Sequence, residues 1–142
     1  MYYERYISLV DDQQPLLDQL KEQTRELEFL LKDLPVEQLV TPYAEGKWSL
    51  LDLLQHLTDA ERVFTYRAMR FARNDRTPLP FFDEDAFAKE AGAVKKGWRR
   101  AWKEYKTNRQ ATLSFFSNQS AAELRRFGIA SQTPMSVRAC AW

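Results

Sequence analysis

The sequence predicts an all-α protein built as a bundle of long amphipathic helices. Apolar residues recur every three or four positions over long stretches, which is the spacing of one helix face. The alternation of apolar and polar residues that is typical of strands is nowhere sustained. Only four glycines and six prolines punctuate the chain, between the periodic stretches.

The first predicted helix follows Pro15 and ends before Pro35. Segment 36–40, VEQLV, is predicted to be at most a short turn of helix before the loop TPYAEGK. The leucines that define the apolar face of the first helix are Leu16, Leu20, Leu27, Leu31 and Leu34.

The second predicted helix begins after Ser49 and runs to about Arg73. Ser49 and Asp52 have the spacing of a capping box, in which each side chain accepts a hydrogen bond from a free N–H group of the first turn. The apolar seam of this helix comprises Leu50, Leu53, Leu57, Ala60, Phe64, Ala68 and Phe71.

A third long helix is predicted to start near Asp85 and to continue to about Phe115. The preceding segment 74–85, NDRTPLPFFDED, contains two prolines and several carboxylates and is predicted to be a loop. Gly92 and Gly97 each cost a helix about 1 kcal/mol relative to alanine, so we expect the first half of this helix to bend or fray.

Two weaker helix signals follow. Ser120 and Glu123 have the capping-box spacing again, which predicts a short segment that ends at Gly128. After Pro134, the residues MSVRACAW resemble the opening of one more helix, which reaches the end of the given sequence after about two turns.

Composition and charge restrict the classes of function. A length of 142 residues, 44% apolar and 29% charged, predicts one soluble globular domain over residues 1–142. The net charge of +1 provides no general attraction for nucleic acid or an anionic membrane. The single cysteine, Cys140, excludes an internal disulfide and fits a reducing compartment. MYYERYISLVDDQQP lacks the apolar core of a signal peptide, and no apolar run approaches the ~18 residues of a membrane span, so we expect a cytoplasmic protein.

Residues 46–88, GKWSLLDLLQHLTDAERVFTYRAMRFARNDRTPLPFFDEDAFA, strongly resemble the DinB-like (DinB/YfiT) superfamily, and TPMSVRA at 133–139 fits the start of that family's last helix. The resemblance implies an up-down-down-up four-helix bundle, often dimeric. It also implies a divalent metal, nickel or zinc, held by three histidines. One histidine comes from the second helix and two come from an H-x-x-x-H pair on the last helix, where the spacing places both rings on one face.

His56, the only histidine in the sequence, matches the ligand position of the second helix. At about 100° per residue it lies roughly 70° from the centre of the apolar seam, where a side chain points obliquely into a bundle. The H-x-x-x-H pair has no counterpart before Trp142. We therefore expect the fourth helix to be truncated to a stub and the metal site to be incomplete. The alternative for His56 is a neutral ring bonded to one neighbour at the edge of the core.

Asp59 lies near the same face as His56 and is a candidate second metal ligand, or a group that orients the imidazole. The alternative is a solvated carboxylate, or a partner for Arg62 or Arg67. Glu61 lies more than 100° from His56 around the helix and is expected to face solvent.

Three further features have both a functional and a structural explanation. Asp83, Glu84 and Asp85 offer oxygen ligands for magnesium or calcium, but acidic residues before a helix are typical of capping. The third helix carries a basic face with Trp98, Trp102 and Tyr105 interleaved; these aromatics fall on the apolar stripe, which indicates core rather than a nucleic-acid platform. Cys140 has no histidine close in sequence and is expected to be incidental.

Two functions of different class follow. The first is a metal-dependent enzyme of the DinB-like superfamily, a thiol-dependent S-transferase or a hydrolase acting on a small-molecule substrate, in which His56 is the surviving ligand. The second is a non-catalytic helical bundle that dimerises or binds a small molecule. Without a complete fourth helix an apolar groove would face water at a cost of about 25 cal/mol per Å². We therefore expect a homodimer or helix-exchanged oligomer, with no nucleic-acid or membrane partner.

Overall fold

The computed structural model describes residues 14–141. The prediction for the N-terminal segment concerns mainly residues outside this range. The described chain is mostly helical, as predicted, and ends in a small hairpin. The helices are α1 (Leu16–Leu31), α2 (Val36–Val40), α3 (Leu50–Ala72), α4 (Glu84–Ala91), α5 (Ala93–Lys96), α6 (Trp98–Ser117) and α7 (Ala121–Leu124); strands β1 (Phe127–Ala130) and β2 (Thr133–Ser136) and a 3₁₀ helix (Arg138–Ala141) follow.

The start of α3 is fixed by the capping box that the sequence predicts. The Asp52 N–H donates to Ser49 Oγ at 3.2 Å, and the Ser49 N–H donates to Asp52 Oδ2 at 3.1 Å. The same reciprocal pair forms at Ser120 and Glu123 before α7. Local hydrogen bonds therefore set these two helix starts, independently of tertiary packing.

The predicted third helix is interrupted twice and does not run unbroken from Asp85 to Phe115. Gly92 and Gly97 have φ angles of 63° and 73°, in the left-handed region that residues with a Cβ rarely occupy. The two glycines therefore separate α4, α5 and α6. Instead of the expected bend there are two breaks in the helix, because each glycine leaves the right-handed helical region.

No α-helix follows Pro134 in the part of the chain that the structure describes, and within the predicted segment only Arg138–Ala141 form a 3₁₀ helix. Thr133–Ser136 instead pairs with Phe127–Ala130 as an antiparallel hairpin, and Gly128 lies within the first strand. Ser131 and Gln132, both with positive φ, form the connecting turn, which suits the right-handed twist of paired strands. Strand pairing therefore takes up the first two residues of the predicted helix, and a short 3₁₀ helix follows.

The buried residues form two clusters, one around each half of α3. The first cluster lies where α1, α2, α5 and α6 meet the N-terminal half of α3. The second lies where the hairpin and the 3₁₀ helix cover the C-terminal half. The first contains Leu31, Leu39, Leu51, Leu54, Ala93, Ala101, Trp102 and Tyr105. The second contains Ala68, Phe71, Ala72, Leu79, Phe116, Ala130, Met135, Val137, Cys140 and Ala141.

The predicted seam of α3 is buried along only its C-terminal half. Ala68 and Phe71 are fully buried beneath the hairpin, but Leu53 and Leu57 remain 43% and 37% exposed. In the N-terminal half, the side that packs on α6 carries Leu51 and Leu54 instead. The expectation that Leu53 and Leu57 lie in the core is wrong for the described residues, because no described element covers that stretch of the seam.

Gly128 allows the hairpin to approach α3 closely. A Cβ atom at this position would lie 2.1 Å from Cε1 of Phe71, well inside contact distance. The absence of a side chain therefore lets the Phe71 ring pack directly against the β1 backbone. This contact closes the second cluster.

A buried ion pair joins the three long helices. Arg109 on α6 approaches Glu61 on α3 with Nη2–Oε2 at 2.9 Å, and the two side chains are only 10% and 12% exposed. Arg109 Nη1 also donates to the backbone oxygen of Leu20 on α1 at 2.6 Å. The prediction that Glu61 faces solvent is wrong, because α6 supplies a cation directly opposite it.

The Glu61–Arg109 pair predicts a large effect of single substitutions on stability. Glu61→Ala is expected to lower the free energy of unfolding by about 3–5 kcal/mol, because it leaves the Arg109 charge buried and unpaired. Urea denaturation followed by circular dichroism measures this. Glu22→Ala removes a pair of similar length, Arg25–Glu22 at 2.9 Å, that is well exposed, and is expected to cost less than about 1 kcal/mol.

The double variant Glu61→Leu with Arg109→Met tests whether the unpaired charge causes the loss of stability, because neither charge remains buried in it. It is expected to be more stable than Glu61→Ala alone. Equal losses for the buried and the exposed single variants would contradict the role of this pair.

Candidate functional site

His56 lies on the N-terminal half of α3 and is half-buried. Its imidazole packs against the indole of Trp48, with ring centroids 4.8 Å apart and planes inclined by 45°. Among the described residues, no side chain or backbone group forms a hydrogen bond with the ring. Both imidazole nitrogens are therefore available to a ligand from elsewhere, and the predicted alternative of a bonded core histidine finds no partner in residues 14–141.

The apolar neighbours of His56 on the helix surface are the exposed part of the seam. Leu53 precedes His56 by one turn and Leu57 follows it directly, and both are partly open to solvent. Farther along the same side of α3, Phe64 packs against the cluster beneath the hairpin. His56 therefore lies beside the stretch of α3 that no described element covers.

The carboxylate of Asp59 forms hydrogen bonds and an ion pair with neighbouring side chains. Its oxygens accept from Gln55 Nε2 at 3.2 Å and from Arg62 Nη1 at 3.0 Å. No hydrogen bond joins it to His56 within the described residues. The structure therefore places Asp59 as a partner of Arg62, which is one of the two alternatives that the sequence left open.

The polar side chains around Asp59 form a closed ring of contacts, which we call the α3–α6 ring. It consists of Gln55, Asp59, Arg62, Lys96 and Glu104. Arg62 Nη1 reaches Glu104 at 2.8 Å, and Lys96 Nζ lies 3.5 Å from Glu104 and 3.0 Å from Gln55 Oε1, which closes the circuit. All five side chains lie along a cleft of about 600 Å³ beside α4.

The charges of the ring stabilise one another. Partial burial disfavours the charged form of Arg62, but hydrogen bonds and the charges of Glu104 and Asp59 outweigh it and raise its pKa. Burial likewise opposes ionisation of Glu104, yet the contacts with Arg62 and Lys96 lower its pKa. Both groups stay charged at neutral pH, so the contact between Arg62 and Glu104 is a fixed ion pair.

Sequence analysis did not identify this ring. The contacts from Gln55 to Asp59 and from Asp59 to Arg62 have helical i, i+4 and i, i+3 spacings, which could have been read from the sequence. The closing contacts come from Lys96, at the end of α5, and from Glu104 on α6, which lie 41 residues or more from their partners on α3. No local pattern predicts that approach.

The described residues do not by themselves form a metal site. Within residues 14–141, no group of three or more His, Cys, Asp or Glu side chains is placed to share one ion. The sequence contains a single imidazole, and the nearby carboxylate of Asp59 is already bound to a cation. A three-histidine site therefore does not fit this set of residues.

The remaining candidates from the sequence have structural roles. Asp83 caps α4, where its carboxylate accepts from the Ala86 N–H at 3.0 Å. Trp102 and Tyr105 lie in the core and stack at 5.3 Å, as their place on the apolar stripe predicts. Among the described helices, none combines the length and the apolar character that crossing a bilayer requires.

Comparison with known proteins agrees with the geometry of the bundle. A family model described as the DinB superfamily matches residues 19–142. The chain belongs to the DinB superfamily. This DinB chain also resembles the structure of YfiT from Bacillus subtilis, whose title describes a probable metal-dependent hydrolase with an unusual four-helix bundle topology. The TM-score is 0.79 at 15% identity, over 93% of this chain and 78% of YfiT.

A curated relative from Oceanobacillus iheyensis is named "Putative metal-dependent hydrolase OB0413". It is 29% identical to this DinB chain over 80 residues, which are 56% of this chain. The match spans 46% of the relative, so somewhat less than half of its length has a counterpart here. The likeness to YfiT establishes the shared fold, and the relative's name describes that protein.

Cys140 is a core residue and not a reactive thiol. It lies in the 3₁₀ helix against the second cluster and is almost completely buried. Burial raises the pKa of its thiol to about 12, which the charge of Arg67 only partly offsets. Because the thiolate is the reactive form, the thiol is protected at neutral pH.

The burial of Cys140 predicts slow reaction with a thiol reagent. In the native protein at pH 8, labelling by Ellman's reagent is expected to be about 100-fold or more slower than in guanidinium chloride, because few thiolates form and the core excludes the reagent. Cys140→Ala, the matched blank, is expected to show no labelling in either state. Equal rates in native and unfolded protein would contradict the placement of this thiol in the core.

Proposed function

We propose that this chain contributes one ligand, His56, to the divalent-metal site of a metal-dependent enzyme of hydrolase or thiol-dependent transferase type. The single observation that carries the proposal is the state of His56, which is half-buried, held by Trp48 and without a hydrogen bond to any other described residue. Neutral imidazole is a common ligand for nickel and zinc. Membership of the DinB superfamily and the names of the relatives support the same class.

The proposal assigns the remaining ligands to groups outside the described set. One imidazole gives too little affinity to retain a metal against competing ligands, so residues 14–141 alone would hold nickel or zinc weakly. No catalytic step is assigned to this chain by itself. The role proposed for it is to present His56 on a rigid helix, beside the exposed surface of Leu53 and Leu57.

The second candidate function is a non-catalytic helical bundle. It is favoured by the α3–α6 ring, in which Asp59, the candidate second ligand, is bound to Arg62. A protein that relied on Asp59 as a ligand would have to break two contacts of Asp59 to use it. Metal binding separates the two candidates.

We also propose that a second copy of the chain covers the exposed seam of α3. Leu53 and Leu57 continue the side of the helix that the hairpin covers farther along. Burying them between two chains would remove apolar area from water at about 25 cal/mol per Å². A symmetric contact would bring two His56 rings to one interface, which suits a shared metal better than either ring alone.

The metal proposal predicts that affinity for nickel depends on His56. His56→Ala and His56→Gln are each expected to weaken binding of Ni²⁺ or Zn²⁺ by about tenfold or more, because the imidazole is lost. Isothermal titration of the 142-residue chain, freed of metal by chelation, measures this. The control Glu45→Ala removes an exposed carboxylate just before α3 and is expected to have no effect.

Asp59→Asn tests the second ligand in the same titration. If Asp59 stays in the ring, affinity changes little; if it joins the metal, affinity falls as it does in His56→Ala. Absence of binding by the unaltered chain, or equal affinity in the His56 and Glu45 variants, would refute the metal proposal and leave the non-catalytic candidate.

The dimer proposal predicts a mass of two chains in solution. Light scattering at tens of micromolar is expected to give about twice the chain mass, and Leu53→Glu with Leu57→Glu is expected to shift it to one chain, because charges are not tolerated in an apolar contact. Phe29→Glu with Leu30→Glu, on the exposed side of α1, is the matched control. A monomer at this concentration would refute the proposal.

A further inference from the structure

A second cavity has Trp48, the neighbour of His56, in its lining. It has a volume of about 550 Å³ and opens between α2, the loop after it and the start of α3. A volume of this size suits a small organic molecule. The cavity is lined by Glu37, Gln38, Thr41, Pro42, Tyr43, Trp48 and Leu50.

The lining combines two aromatic rings with one carboxylate. Tyr43 and Trp48 contribute the rings, and among the described residues of the lining Glu37 alone carries a charge. Glu37 takes part in no ion pair with another described residue. The cavity is therefore negative and aromatic, with no cation of its own to neutralise it.

Part of this lining is fixed before any ligand arrives. Trp48 is held by the contact of its ring with His56 at 4.8 Å, and Ser49, the next residue, is buried at the capping box of α3. Pro42 restricts the backbone next to Tyr43. Tyr43, the other ring of the lining, is 84% exposed. Because the indole is already held in place, a ligand that contacts it orders less of the protein on binding.

We propose that this cavity binds a small organic ammonium ion, of the quaternary or methylated type. A ring face attracts a cation through its quadrupole, and tryptophan is the strongest of the aromatic side chains in this respect. The negative charge of the Glu37 carboxylate also attracts a cation, and it acts over a longer range. The largely apolar lining suits methyl groups, whereas a metal ion would require several oxygen or nitrogen ligands.

This inference is separate from the metal proposal, although Trp48 contacts both His56 and the cavity. Its test therefore runs in a chelating buffer, where no metal is bound. Failure of ammonium binding leaves the metal titration unaffected, and failure of metal binding leaves the cavity intact.

The proposal predicts that choline and tetramethylammonium bind the chain and that an uncharged analogue of the same shape does not. The probes are choline chloride, tetramethylammonium chloride and 3,3-dimethyl-1-butanol, which replaces the charged nitrogen by carbon. Titration followed by NMR of the four tryptophan indole N–H signals, with that of Trp48 assigned by Trp48→Phe, measures binding. Saturable shifts of the Trp48 signal are expected with the two cations alone.

Substitutions at exposed positions test the contribution of the cavity's side chains to binding and are not expected to disturb folding. Tyr43→Leu is expected to weaken choline binding by about three- to fivefold, because the ring face is lost, and Tyr43→Phe to preserve it. Glu37→Gln is expected to weaken it similarly, because the carboxylate is neutralised. Tyr66→Leu, at an exposed tyrosine of α3 outside the cavity, is the matched control and is expected to bind as the unaltered chain does.

Three results would overturn the proposal: equal affinity for choline and the neutral alcohol, equal effects of Tyr43→Leu and Tyr66→Leu, or no saturable shift at all. The source of the cation is decided by flotation with phosphatidylcholine vesicles. Flotation that free choline abolishes would assign the site to a lipid headgroup, and no flotation to a soluble ion. Binding of the ammonium group stands in both cases.

Discussion

The buried pair between Glu61 and Arg109 is the interaction on which the arrangement of the three long helices depends. One guanidinium binds a carboxylate of α3 and a backbone oxygen of α1 while it is itself carried by α6. Both charges leave water on folding, and a shift of either neighbour would leave one of them uncompensated. The surrounding leucines are less selective, because an apolar core tolerates several packings of similar volume. Directed polar contacts therefore fix the register that apolar contacts stabilise.

The position of α3 between two clusters determines where chemistry can occur. Its N-terminal half packs toward α6 through Leu51 and Leu54, and its C-terminal half packs toward the hairpin through Phe71. The buried side of the helix therefore changes along its length. His56 lies in the N-terminal half, beside the part of the seam that remains open, so a single helix supplies both rigid support and access. A side chain that binds a metal together with groups from outside the described chain would need both the support and the access.

Agreement between sequence and structure is best where the signals are local. The capping boxes at Ser49 and Ser120 form as predicted, because their partners lie three residues away. The resemblance to the DinB family predicted the helical bundle, and the family match confirms the family. The predicted last helix is reduced to one 3₁₀ turn, because residues 133–136 pair as a strand with the preceding segment. Glu61 was misplaced for a similar reason, since its partner comes from a helix 48 residues away.

The sequence by itself determined the helical class, the starts of the capped helices and the number of imidazoles that a metal could find, since each depends on residue type and near spacing alone. Tertiary structure alone decided that Asp59 belongs to an ion-pair ring, that Glu61 is buried, and that Tyr43, Trp48 and Glu37 line one cavity. The physical reason is the same in each case. Charges and rings act at a few ångströms, and only the packed chain brings together residues that are distant in sequence.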